Sequence, residues 1–284
     1  MNPVVHEELK KLHGLGWNDP RSSCQATHED DLSYPDSGFK TLESAGADGY
    51  WYRHRAYVAT RILHRENIRL IWDVGAGTGT MATLFSLENI DVISVEPHSE
   101  GARLIREKTL ECFQLSLEQI ALPSQSIAAV SLFDVIEHLR DPLPTLSEVR
   151  RVLQPDGKCL VTVPACQFLW SDEDVLAGHF RRYSRKELTK HLEDSGFRVL
   201  QMRFIFLPLV PLAFAMRVIP FRLGIRKKEG LASEQCIKHL RPNKVVDKIA
   251  TLLLRSEYAA SKVLPIPFGL SLIALATPNP HKIP

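Results

Sequence analysis

Nowhere in the chain do apolar residues persist for the roughly 20 positions that a bilayer-crossing helix needs. The run from Phe204 to Met216 is only thirteen residues long and is broken by Pro208 and Pro211. The five cysteines (Cys24, Cys112, Cys159, Cys166 and Cys236) form no C-x-x-C pair and no zinc-type spacing, which removes structural zinc modules and dithiol redox sites from consideration. Three of them lie in or beside apolar strand-like runs, so buried free thiols in a reducing cytoplasm are expected. Charge of one sign is lacking too. Thirty-five basic residues against 33 acidic ones leave a net charge of +2, and bulk electrostatics gives no reason to expect a nucleic-acid partner. Glu7 and Glu8 sit where a signal peptide would carry its apolar core, so none is expected.

What the chain does have is concentrated in Leu70-Ile71-Trp72-Asp73-Val74-Gly75-Ala76-Gly77-Thr78-Gly79-Thr80. It reads as a buried strand that breaks into a glycine turn and then opens a helix. Such a turn lets main-chain N–H groups approach a ligand closely. A second apolar strand, Val92-Ile93-Ser94-Val95, ends in Glu96, about 20 residues past the turn, where a carboxylate can take both hydroxyls of a ribose. The pattern lacks the third small residue of the dinucleotide fingerprint G-x-G-x-x-G/A, because Thr80 stands there. Asp73 would also repel a pyrophosphate, while it suits a cationic amino group. An NAD-dependent oxidoreductase is thereby disfavoured.

With 284 residues, one elaborated domain is expected. Residues 1–48 form a polar segment expected to be ordered only in part, residues 49–278 the main domain, and residues 279–284 a tail. Within the main domain, strands and helices alternate: a helix from about Gly49 to Arg65, strand 69–74, helix 79–88, strand 91–96, helix 98–109, strand 111–115, strand 127–133, helix 142–153, strand 157–163, helix 184–195, strand 197–205 and a last strand over 270–277. Alternation of this kind predicts an α/β fold with a mostly parallel sheet and helices on both faces. Gly157 and Gly196 read as helix stops. The insertion 206–263 separates the last two strands, and 243–263 has helical periodicity. Two readings of it stand: a cap buried on the sheet, or an interfacial patch whose apolar residues meet a membrane while Arg217, Arg222, Arg226, Lys227 and Lys228 meet phosphate.

Further stretches carry a resemblance: Tyr50-Trp51-Tyr52-Arg53-His54-Arg55, the DVGAGTG turn, Phe133-Asp134-Val135-Ile136-Glu137-His138-Leu139, Leu153-Gln154-Pro155-Asp156-Gly157, Gly178-His179-Phe180-Arg181-Arg182-Tyr183-Ser184, and Pro267-Phe268-Gly269-Leu270-Ser271-Leu272. Together, from about Gly49 onward, they resemble the class I S-adenosylmethionine (SAM)-dependent methyltransferases of bacterial type. The resemblance implies a Rossmann-like, seven-stranded sheet whose last strand runs antiparallel between the fifth and sixth. It implies SAM as cofactor, with Gly75, Gly77 and Gly79 cradling it, Asp73 near its amino group and Glu96, followed by Pro97, at the ribose. Phe133 closes the fourth strand beside the cofactor. The adenine reader falls in Ser116-Leu117-Glu118, with Ser116 and Glu118 both open for the role.

Asp134, Glu137 and His138 follow the fourth strand, and His179 follows the fifth, so all four are expected at the carboxyl edge of the sheet, where ligands bind in such folds. Two carboxylates and two imidazoles suit a divalent cation. The D-x-x-E-H…H order is similar to metal-dependent O-methyltransferases of ubiquinone biosynthesis and of small-RNA 3′ ends. Without a cation, His138 or His179 is a general base for a hydroxyl, with Glu137 beside it. Arg181 and Arg182 are candidate clamps for an anionic group on the acceptor. The expected activity is methyl transfer to a hydroxyl of a small-molecule or lipid-linked acceptor. The rivals are a metal-dependent 2′-O-methyltransferase on RNA ends and a SAM-binding protein without catalysis. The expected location is the cytoplasm, with peripheral membrane contact if the insertion is interfacial; nothing in the sequence specifies an oligomer.

Overall fold

The computed structural model of the chain describes residues 2–22, 39, 43, 49–225 and 243–282. At its centre lie seven strands: β1 (Leu70–Val74), β2 (Asp91–Val95), β3 (Glu111–Phe113), β4 (Ile127–Phe133), β5 (Leu153–Pro164), β6 (Phe197–Ile205) and β7 (Ser271–Pro278). They form one sheet in the order β3-β2-β1-β4-β5-β7-β6. The first five pair in parallel, and β7 runs antiparallel to both β5 and β6. This is the mostly parallel α/β sheet expected from the alternation. Central strands such as β1 are buried on both faces, which is why they read as unbroken apolar runs rather than as alternating ones.

Eleven helices of the described residues matter below. Pro3–Gly14 (α1), Tyr50–Arg65 (α2), Thr80–Ser86 (α3), Ser99–Glu107 (α4), Leu117–Ile120 (α5) and Leu143–Val152 (α6) come first. Asp172–Leu176 (α7), Arg185–Asp194 (α8), Val210–Ala213 (α9), Ile219–Arg222 (α10) and Lys244–Ala260 (α11) follow. Side chains of α1, α6 and α8 share one core with one face of the sheet, and those of α2, α3 and α11 share another with the opposite face. Strand order reverses between β1 and β4, and the crevice at that switch point opens at the carboxyl ends of the strands.

Three local departures from the sequence pattern have physical causes. Part of the polar N-terminal segment is a helix: α1 is capped by the Asn2 side chain, which accepts from the Val4 N–H, and buries Val5, Leu9 and Leu12 at i, i+4 and i+7. Trp17 follows it into the core and donates from Nε1 to the Ile120 carbonyl at 2.9 Å. Gly157 is not a helix stop, because α6 already ends at Val152 and the chain enters β5 directly. The register with β4 slips from Ile127↔Leu153 to Ala129↔Lys158. A Cβ at Gly157, in that bulge, would lie 2.9 Å from the Gln154 carbonyl oxygen. Gly196, by contrast, sits after α8 at φ +81°, as a helix-ending glycine should.

At the start of the insertion Phe206 and Val210 are buried, and the Phe206 ring stacks on Trp51 of α2 at 3.9 Å. Leu212 and Met216, further along it, are exposed. No helix of the described residues is long and apolar enough to cross a membrane.

Candidate active site

A cavity of about 560 Å³ occupies the switch-point crevice, within the ~300–1,000 Å³ usual for small-molecule sites. Its floor is the turn after β1. Gly75, Gly77 and Gly79 have φ of +72°, +58° and +71°. A Cβ at Gly75 would stand 2.6 Å from Val135 Cγ2, so glycine is demanded there by both conformation and space. A Cβ at Gly77 would meet no atom of the described residues beyond its chain neighbours within 4 Å, and Gly77 lines the cavity. Gly79 is not on the cavity wall. It caps α3, and its Cα faces Ile105 of α4. Of the three glycines expected at the ligand, Gly75 and Gly77 line the cavity.

Strand ends supply the acids. Asp73 is buried, accepts a 2.7 Å hydrogen bond from Ser131 Oγ, and is pushed by burial up to about 7 despite that bond. Glu96 is likewise raised by burial to about 7, although its two oxygens accept from the Gly77 N–H at 2.6 Å and the His98 N–H at 2.9 Å. Each carboxylate oxygen has two lone pairs, so Glu96 keeps acceptor capacity for hydroxyls. Holding two such carboxylates in a buried cleft is costly unless something cationic or donating fills it. Pro97, Ser116, Leu117, Glu118 and Phe133 also line the cavity. Ser116 caps α5, its Oγ accepting from the Gln119 N–H, while Glu118 accepts weakly from Thr145 Oγ1 at 3.5 Å.

Glu137, His138 and His179 line the same cavity and converge there. One ligand atom from each lies within 4.8 Å of the others, and the two imidazole centroids are 4.7 Å apart. Three ligand atoms on one cation at ~2.1 Å bonds stand about 3–3.6 Å apart, so the three side chains could hold a cation by drawing in around it. Glu137 is fully buried, neither of its oxygens reaches a donor of another residue, and burial together with Asp134 raises its carboxyl well above the usual range. A buried carboxylate left this way is either protonated or compensated by a cation. Burial, reinforced by His179, pushes His138 down to about 4, so it is a neutral imidazole at pH 7, as a metal ligand must be.

Asp134 does not join them. Its φ of +55° is rare for a residue with a side chain, and its carboxylate pairs with the buried Arg55 of α2 and accepts from Thr162 Oγ1 at 3.0 Å. The four-residue ligand set becomes three. Arg181 and Arg182 are not free clamps either. Arg181 donates to the Leu139 and Arg140 carbonyls, and Arg182 donates from Nε to Asp174 at 2.7 Å.

The loop that delivers His179 is stitched to the one that delivers Glu137, because the Phe180 N–H donates to the Glu137 carbonyl at 2.8 Å. Asp174, buried in α7, is the residue that the sequence reading missed. It bonds His179 Nδ1 at 2.9 Å, and its own placement is fixed by the Ser171 capping box. Burial would raise Asp174, but the His179 hydrogen bond and the Arg182 charge outweigh it and hold it below the usual range. With Nδ1–H directed at Asp174, His179 presents Nε2 as a lone pair. The acidic run Asp172-Glu173-Asp174 ahead of Gly178-His179 is the signal that would have found it. Arg55 was also missed; it lines the cavity, yet only its place in the Tyr50–Arg55 stretch hinted at this.

Comparison with known proteins agrees with this geometry. A methyltransferase-domain family matches residues 49–202. The probable S-adenosylmethionine-dependent methyltransferase Rv3030 of Mycobacterium tuberculosis is 29% identical over 199 residues, covering 68% of this chain and 71% of that protein. An O-methyltransferase of Pyrenophora dematioidea is 28% identical over 146 residues, 46% of this chain and 55% of that one. Among solved structures, phosphoethanolamine N-methyltransferase 2 of Haemonchus contortus, in complex with S-adenosyl-L-methionine, superposes with a TM-score of 0.54 at 15% identity, covering 88% of this chain and 59% of that one. The matched region spans the glycine turn, the two strand-end acids and the Glu137-His138 and His179 loops, and the chain belongs to the class I SAM-dependent methyltransferases.

Proposed function

We propose that this methyltransferase acts on a hydroxyl of a small-molecule or lipid-linked acceptor, held between Glu137, His138 and His179. The observation that carries this reading is the convergence of those three side chains in the cavity that Gly77 also lines, with a buried carboxylate that no donor of another described residue satisfies. When bound, SAM would supply a methyl group on a sulfonium, transferable in line to a nucleophilic oxygen with S-adenosylhomocysteine as the leaving group. On the cofactor side, Gly75 and Gly77 would give it room, Glu96 would accept from its ribose hydroxyls, Asp73 would serve its ammonium, and Arg55 would offer a cation to its carboxylate. Ser116, Leu117 and Pro97 would hold the adenine.

On the acceptor side, a hydroxyl needs its proton removed or its pKa lowered. His179, oriented by Asp174, is the better base of the two imidazoles, because the orienting carboxylate stabilises the imidazolium. A divalent cation held by Glu137, His138 and His179 would lower the hydroxyl's pKa instead. The similarity to a fungal O-methyltransferase supports oxygen as the acceptor atom. The RNA-end alternative is less favoured, since Arg181 and Arg182 are committed to protein oxygens.

The test is turnover of an added panel of hydroxylated acceptors, with SAM consumption as readout, after chelation with EDTA and after Mg²⁺ or Mn²⁺ is restored. Loss and recovery of activity support a cation site; activity indifferent to EDTA but abolished by His179→Ala supports the general base. Transfer only to amine acceptors would overturn the hydroxyl reading.

A further inference from the structure

The face of the insertion turned away from the sheet is apolar where a surface helix should be polar. In α11 the inner positions Ala250, Leu254 and Tyr258 are buried, yet Val245, Ile249 and Leu252 are 66%, 54% and 68% exposed. Their i, i+4, i+7 spacing places them in one stripe. The stretch spanning α9 and α10, joined by a π-helical turn over Phe214–Val218, also exposes apolar side chains: Leu212 51%, Met216 46% and Ile219 42%. Both elements adjoin residues that line the active-site cavity. Arg217 lines it and pairs with Glu173 at 2.7 Å, and Tyr50, which also lines it, donates its N–H to Asp247 of α11.

Charge decides what such a face fits. The two acids of α11 point inward: Asp247 takes Tyr50 and Arg53, and Glu257 takes the N–H groups of Phe206 and Leu207. The charges left outside on α11 are Lys244, Lys248 and Arg255. Residues 210–222 contain no acid; Arg222 is exposed there, while Arg217 is balanced by Glu173. A second copy seated on this face across a two-fold axis would oppose like charges to like. A layer that is apolar inside and anionic at its surface matches both features.

We propose that the outer faces of α9, α10 and α11 seat the protein on an anionic lipid bilayer, apolar side chains in the interfacial zone and basic ones among the phosphates, with the cavity mouth facing the membrane. Such helices lie in the plane of the interface rather than across it, in keeping with the absence of a spanning helix among the described residues. The proposal deepens the lipid-linked reading of the acceptor, because an acceptor anchored in that layer would reach the mouth without leaving it.

Co-sedimentation of the full chain with vesicles tests it. Equimolar phosphatidylcholine–phosphatidylglycerol vesicles should carry the protein down, pure phosphatidylcholine vesicles about tenfold less, and added salt should weaken the association. The double variants Ile249→Glu/Leu252→Glu and Leu212→Glu/Met216→Glu should each reduce binding about tenfold or more, with S-adenosylhomocysteine affinity measured alongside to report folding and cofactor binding independently. The proposal is overturned by no sedimentation at low salt, by variants that bind as the wild type does, or by a wild-type dimer in light scattering that the variants dissociate while vesicle binding stays absent. Failure in the vesicle assay with cofactor affinity intact would leave the methyltransferase reading untouched.

Discussion

Glu137 and Asp174 are both buried carboxylates beside His179, and their surroundings give them opposite characters. Glu137 faces no donor, whereas Asp174 faces an imidazole and a guanidinium. Glu137→Gln should therefore keep the fold, leave the melting temperature in EDTA unchanged or higher, and abolish any rise on adding Mn²⁺; differential scanning fluorimetry checks all three. Asp174→Ala removes the partner of a buried cation and should cost roughly 3 kcal/mol of stability, seen as a lower denaturant midpoint with an unchanged slope. Legibility at this scale was uneven. Glu137, His138 and His179 were readable because strand ends deliver them to one edge, and sequence order alone says so. Asp134 looked equivalent, but its left-handed backbone turns it to Arg55 and Thr162, and no sequence pattern announces a positive φ at an aspartate.

The strand–turn–helix unit after β1 is the element on which cofactor binding rests. Gly75→Ala would force a Cβ against Val135 at a φ that L residues avoid, and should destabilise the protein by roughly 1–3 kcal/mol. Gly77→Ala would meet no described side chain but carries the same left-handed strain at φ +58°, so calorimetry should find SAM affinity reduced, and the melting temperature measured alongside reports the backbone strain separately. The sheet strands were legible because burial on both faces leaves unbroken apolar runs. The helix α1 was not, since three apolar residues in a polar stretch define its inner face. The β5 bulge was hidden by Gln154-Pro155-Asp156-Gly157, which reads as the end of a helix yet lies inside the strand, where the register with β4 shifts.

Across the whole molecule, buried acids tie cofactor binding to pH. Asp73 and Glu96 are both raised to about 7 by burial, from about 4 in the unfolded chain. Between about pH 4 and 7 the native state thus holds more protons than the unfolded one, so the ligand-free protein should lose stability as pH rises through that window. A cationic ligand favours the ionised form. SAM affinity should therefore strengthen as pH rises through 7, and the melting-temperature increase caused by SAM should be larger at pH 8 than at pH 5.5. An increase that is flat across this range would show that neither carboxylate ionises on binding.

One cavity with two separable halves is the central claim, and S-adenosylhomocysteine calorimetry on two variants tests it most directly. Glu96→Ala removes a buried acceptor at the ribose position, and its affinity should fall by about tenfold or more, the scale of a hydrogen bond to a charged group. His179→Ala lies on the acceptor wall and should bind S-adenosylhomocysteine within about twofold of the wild type while losing turnover. The reverse pattern, with Glu96→Ala unaffected and His179→Ala impaired, would contradict the assignment of the two halves.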